Sequence, residues 1–122
     1  MNSETLLLRQ IHPDFVQQGR PTSQAFRPTP KDENQLSVYN GAMISASASW
    51  HHYTETLKFE SAGVMALSCA ECSTEQLNVI EDGVPFPEHC SIDFSGLNKS
   101  EVERKSKKLA AFAKNRDWRF IL

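Results

Sequence analysis

The chain of 122 residues predicts a single α+β domain spanning 1–122: a small mixed or antiparallel sheet of four to six short strands, with two main helices packed on one face. Three observations carry this expectation. Short apolar or alternating runs of strand length recur (ETLLLRQI, LSVY, GVMALS, CSIDF), punctuated by proline, glycine and asparagine. Two longer stretches space their apolar residues three and four positions apart, as a helix with one buried face requires. Hydrophobic residues make up 39% of the chain and charged ones 23%, a composition that buries a core rather than staying disordered.

In order, Glu4 to Ile11 reads as a first strand ending near His12, because Pro13 disfavours a helical residue before it. Asp14 to Gln18 suits one helical turn with Phe15 and Val16 inward, broken by Gly19. Leu36-Ser37-Val38-Tyr39 alternates and stops at Asn40-Gly41, a tight-turn dipeptide, so it reads as a strand. Ser45 is placed to cap a helix from Ala46 to Leu57, with Trp50, Tyr53, Thr54 and Leu57 along one side. Gly63 to Ser68 is an apolar strand, Cys69 to Glu75 a short helix, and Leu77 to Ile80 another strand. After the turn residues Asp82-Gly83, Pro85 and Pro87, Cys90 to Phe94 alternates as a strand with one polar face. Ser100 and Glu103 give the S-x-x-E signature of a capping box and open the clearest helix, with Val102, Leu109, Phe112 and Ala113 on its apolar side. Trp118, Phe120 and Leu122 alternate in a final strand.

The segment Gly19 to Tyr39 contains Pro21, Pro28 and Pro30, which exclude a helix interior or a central strand, so it predicts a loop anchored at both ends. Arg20, Ser23, Gln24, Arg27 and Lys31 make it the expected ligand-binding surface, and its arginines have a second use as clamps onto acidic neighbours. The catalytic candidates, if the protein is an enzyme, are Arg9, His12 and Ser23. Three histidines have a carboxylate nearby in sequence that can orient an imidazole: His12 with Asp14, His51 with Glu55 and His89 with Glu88. No glycine-rich phosphate loop, G-x-S-x-G or H-E-x-x-H is present.

Cys69-Ala70-Glu71-Cys72 has the C-x-x-C spacing, and with His89 it outlines the weak alternative of a zinc site. The expectation is no metal and no cofactor, with the three cysteines as reduced, largely buried thiols. Arg9 on an early strand, the Thr22-Ser23 run and a later glutamate resemble in outline the arginine, serine and glutamate of ADP-ribosyltransferase-like NAD-binding folds. The E-x-E glutamate pair of that pattern is missing and its serine-threonine-serine run is here only Thr22-Ser23, so nothing is carried over from it.

Charge is segregated. From Lys99 onward eight basic side chains stand against Glu101, Glu103 and Asp117, a balance of +5, which leaves −7 of the net −2 for residues 1–98. No run is long enough to span a membrane and the start lacks a signal-peptide pattern, so the expectation is a soluble, cytoplasmic protein with no membrane partner. The leading functional expectation is a non-catalytic protein that binds a protein partner, like a bacterial immunity protein, an antitoxin or an accessory subunit, because no coherent catalytic set stands out. Second is a small enzyme acting on a nucleotide or phosphorylated ligand. Third is a nucleic-acid-binding module using Arg104, Lys105, Lys107, Lys108 and Trp118.

Overall fold

A computed structural model describes residues 1–122, the side chain of Pro30 excepted. Six strands form one sheet: β1 (Leu6–Ile11), β4 (Gln35–Asn40), β5 (Gly63–Ser68), β6 (Asn78–Ile80), β7 (His89–Asp93) and β8 (Phe120–Ile121). Their order is β6-β7-β4-β1-β5-β8, and every neighbouring pair is antiparallel. A separate hairpin joins β2 (Val16–Gln17) to β3 (Arg20–Pro21). Around the sheet lie α1 (Ala46–His51), α2 (Cys69–Thr74) and α3 (Lys99–Arg116).

The alternation in β4 and β7 sorts their residues between two faces. Leu36, Val38, Cys90 and Ile92 enter the main core with Leu7, Ile11, Met65 and Leu67, and α3 closes it with Leu109, Ala110 and Ala113. The odd-numbered residues of β4 and β7 face the other way. β5 is buried on both sides along its whole length, which is why it reads as a continuous apolar run. Gly63 is required there: a Cβ would lie 2.6 Å from the Phe120 carbonyl oxygen, where β8 crosses.

The two main helices lie on opposite faces of the sheet rather than sharing one. α3 packs on the main core, whereas Trp50 of α1 joins the second cluster of Leu8, Tyr39, Val64 and Ala66. Both flanks of β5 are apolar, so each face needs its own cover. Ser45 caps α1 by accepting from Ala48 N–H at 3.1 Å. The helix then widens into a π turn over His52–Thr56, in which Leu57 N–H donates to the His52 carbonyl at 3.0 Å.

α3 starts two residues before the expected position. Asn98 and Glu101, not Ser100 and Glu103, form the reciprocal capping box, at 2.8 and 3.2 Å. Both pairs fit the pattern. Leu97 before the cap and Val102 after it both pack on the core, the apolar staple that sets the entry point.

The segment from Gly19 to Asn34 is tied down rather than loose. Gln18 and Gly19, at φ +53° and +77°, turn the hairpin, so the expected helical turn is confined to Pro13–Phe15. A 3₁₀ turn over Ser23–Phe26 drives Ala25 and the fully buried Phe26 against α3. Burying that one ring contributes about 2–3 kcal/mol, enough to hold the segment against the sheet.

Candidate functional site

β1 pairs with β5 through six residues, from Leu6↔Ser68 to Ile11↔Gly63, but with β4 only at Leu7↔Asn40 and Leu8↔Tyr39. The two strands part at Arg9. Its Nε donates to the Ala25 carbonyl at 2.8 Å and its Nη1 to the Ser37 carbonyl at 2.9 Å, so the guanidinium bridges the gap. Burial pushes its pKa down, opposed by Tyr53 and Asp32. The split opens a cavity of about 380 Å³, with Arg9, Gln35, Ser37 and His89 among its polar lining and Tyr39, Tyr53, Phe59 and Phe86 among its aromatic lining. Its size is that of a small-molecule site.

On the wall of this cavity a chain of hydrogen bonds runs through three side chains. His89 Nδ1 lies 2.6 Å from Asp82 Oδ1, and His89 Nε2 lies 3.1 Å from Ser37 Oγ. An ionised carboxylate only accepts, so in the neutral imidazole Nδ1 carries the proton and Nε2 is left to accept from the Ser37 hydroxyl. Ser91 Oγ donates to the second Asp82 oxygen at 2.8 Å and fixes the carboxylate. Partial burial raises the Asp82 pKa, but hydrogen bonds from His89, Ser91 and the Val84 backbone outweigh it and hold the carboxyl below its usual range. His89 and Asp82 are largely shielded from solvent, while Ser37 is exposed.

Strand register makes this possible. Tyr39↔His89 and Ser37↔Ser91 are cross-strand pairs, so His89 reaches Ser37 along the diagonal of one face. Tyr39 continues the face: its hydroxyl is 2.7 Å from His52 Nδ1 and its ring stacks on Phe86 at 5.0 Å between centroids. Burial raises the pKa of both Tyr39 and Tyr53, so both hydroxyls keep their protons.

Of the residues singled out in the sequence, Arg9 and His89 line the cavity. His12 accepts from Asp14 N–H at 3.0 Å and caps the turn after β1. Arg20 and Gln24 are exposed on the hairpin side, Ser23 is half-buried at the start of its 3₁₀ turn, and Lys31 is exposed beyond it. Among the described residues Arg27 forms no ion pair and its buried Nε has no partner, so the segment is anchored by Phe26 and by the Arg9 bond to the Ala25 carbonyl rather than by its own arginines. These side chains do not line the cavity with Arg9.

The carboxylate that serves His89 is Asp82, not Glu88. Glu88 lies in the turn before β7, whereas the turn after β6 carries Asp82 back beside β7. His51 does meet Glu55, at 2.6 Å, on the exposed side of α1. His89 and Cys72 fall on opposite faces of the sheet, so Cys69, Cys72 and His89 do not converge. Among the described residues no three histidine, cysteine or acidic side chains are placed to hold a metal ion. Burial, with nearby negative groups, pushes the Cys72 thiol up to about 12 and the Cys90 thiol to about 11.

On α3, Arg104, Lys107 and Lys108 are exposed, but Lys105 is buried and donates to the Glu75 carbonyl at the end of α2. Its charge therefore leaves the basic face and caps a helix instead. Trp118 is half-buried and donates its indole N–H to the Gly19 carbonyl at 3.2 Å. Among the described residues no helix is long and apolar enough to cross a membrane.

Ser37 and Asp82 are the site residues the sequence reading passed over. The signal available was the pair of strands with one polar face each, 35/37/39 and 89/91/93. Neither protein-family models, curated proteins nor solved structures provide a match to this chain.

Proposed function

We propose that this protein is a small hydrolase that cleaves an ester through Ser37. The observation that carries the reading is the hydrogen-bonded chain Ser37–His89–Asp82 on the wall of a cavity of ligand size. Ser37 is the nucleophile, His89 the general base and acid, and Asp82 the group that fixes the imidazole tautomer. Ser37 Oγ attacks the acyl carbon as its proton passes to His89 Nε2, and the leaving alcohol takes that proton as its bond breaks. Water then gives a proton to His89 and attacks the acyl-serine. The acid departs as the proton returns to Ser37 Oγ. The aromatic lining excludes water from the acyl group and strengthens the interactions of the charges that develop.

A fluorophosphonate probe tests the nucleophile. Mass spectrometry should find one adduct, on Ser37, and His89→Ala should slow its formation by about 10²–10⁴-fold, the usual worth of a general base. Absence of any adduct on Ser37 after prolonged incubation sinks the reading.

Protein-partner binding is the second reading. What favours it is the exposed apolar rim of the same cleft, where Phe59 and Val84 are 56% and 64% accessible. It predicts a stoichiometric complex that Phe59→Glu dissociates; a complex indifferent to that change counts against this rim.

A further inference from the structure

We infer that the cleft selects its substrate by an oxyanion, a carboxylate or a phosphate, received by Arg9. The placement of that anion next to the reacting bond rests on Ser37 being the nucleophile; the binding of the anion does not.

Arg9 lines the cavity, yet among the described residues no carboxylate lies within 4.0 Å of its guanidinium. Its two hydrogen bonds are to the backbone carbonyls of Ala25 and Ser37, which engage Nε and Nη1 and leave only the longer-range field of Asp32 against its charge. A shielded cation whose nearest carboxylate stands beyond ion-pair distance is costly to keep, and an incoming anion relieves that cost. The nearest acid in the lining, Asp32, accepts instead from the Thr29 hydroxyl at 2.7 Å. A guanidinium presents its remaining N–H groups as a planar fork, the geometry that receives two oxygens of one carboxylate or phosphate.

A second polar group nearby is also unanswered. Gln35 donates its amide to Asp93 at 2.7 Å, but its Oε1 is buried without a partner. Together these call for a ligand with an oxyanion and a donor on its polar side. Tyr39, Tyr53 and Phe86 are left to cover its apolar body. Because Arg9 is bonded to the backbone carbonyl of Ser37, the guanidinium sits at the gap beside the strand that carries the nucleophile. The substrate therefore carries its anion and its ester on one molecule short enough to reach both Arg9 and Ser37 within the cavity.

The test is a titration of wild-type protein with glutarate, with inorganic phosphate and with neutral glutaramide, following the Arg9 Nε–H resonance by NMR. At least one of the anions should shift that resonance saturably and glutaramide should not. Glutarate alone identifies a carboxylate substrate; phosphate alone identifies a phosphorylated one. Arg9→Gln should weaken anion binding by about 10–100-fold, and Arg9→Lys by less, since charge survives without the fork. Should Arg9→Gln fail to fold, the wild-type titrations decide alone. No response to either anion, or an equal response to glutaramide, overturns the inference. Fluorophosphonate labelling of the same sample reads Ser37 separately: label without an anion response sinks only the anion site, and an anion response without label sinks only the nucleophile.

Discussion

The two faces of the sheet are built to different rules although the same strands supply both. On the α3 face sixteen buried apolar or small residues form one continuous cluster, whereas the opposite face has four, Leu8, Tyr39, Val64 and Ala66, beside a polar row from β4 and β7. The first face satisfies itself with apolar contact. Among the described residues the second leaves Ser37 exposed and Gln35 Oε1 without a partner. Polar groups of this kind cost stability unless they are answered, so the α3 face has to supply the surplus that the cleft face consumes.

The division is most severely tested by Phe26→Ala. Removing a fully buried ring from the α3 face should cost about 3–5 kcal/mol, measured by denaturant unfolding, while Ser37 labelling persists below the melting temperature. If labelling vanishes in protein that is still folded, the faces are not separable. Next in size is the clamp between Glu71 and Arg116, which ties α2 to α3 at 2.8 Å. Burial raises the Glu71 pKa, but hydrogen bonds from Arg116 and from Ser68 outweigh it and lower it below the ordinary 4.5. The unfolded chain therefore binds the proton more readily. Its contribution is fully present above pH 4.5 and is lost as pH falls through the lower folded value. Glu71→Gln should cost about 1 kcal/mol at neutral pH and flatten the acid limb of the melting-temperature profile; an unchanged acid limb would assign the pH dependence elsewhere. The smallest effect belongs to Ser91→Ala, which frees one oxygen of Asp82. Stability should fall by about 0.5 kcal/mol, the low end for a single hydrogen bond, with slower Ser37 labelling as the sign that the carboxylate has lost its set position. Labelling at the wild-type rate would show that Ser91 only packs.

The fold was open to reading because its signals are local. GVMALS announces a strand covered on both sides, and the 36–39 and 90–94 alternations announce half-buried ones. Helix placement was less legible, since nothing in a helix's own sequence says which side of the sheet it covers. Lys105 illustrates another limit: a lysine in a basic run is read as solvated, and only the arrival of α2 supplies the carbonyl that accommodates it inside. The site was nearly opaque for the same reason. Ser37, Asp82 and His89 come together through strand register and a returning turn, and the spacing between Arg9 and Ser37 contains no pattern to read. Where the sequence offered Glu88 as the acidic neighbour of His89, the returning turn after β6 brought Asp82 to the imidazole instead.

The short pairing between β1 and β4 has a mechanical consequence. It divides the sheet into two halves, β6-β7-β4 and β1-β5-β8, and the chain passes from one half to the other four times, at β1 to β4, β4 to β5, β5 to β6 and β7 to β8. Neither half is a contiguous segment, so the seam cannot swing open like a hinge between two independently folded lobes. The four passages act as stitches that fix the width of the cleft, so a ligand enters from its open side, where Phe59 stands exposed, rather than by prying the sheet apart.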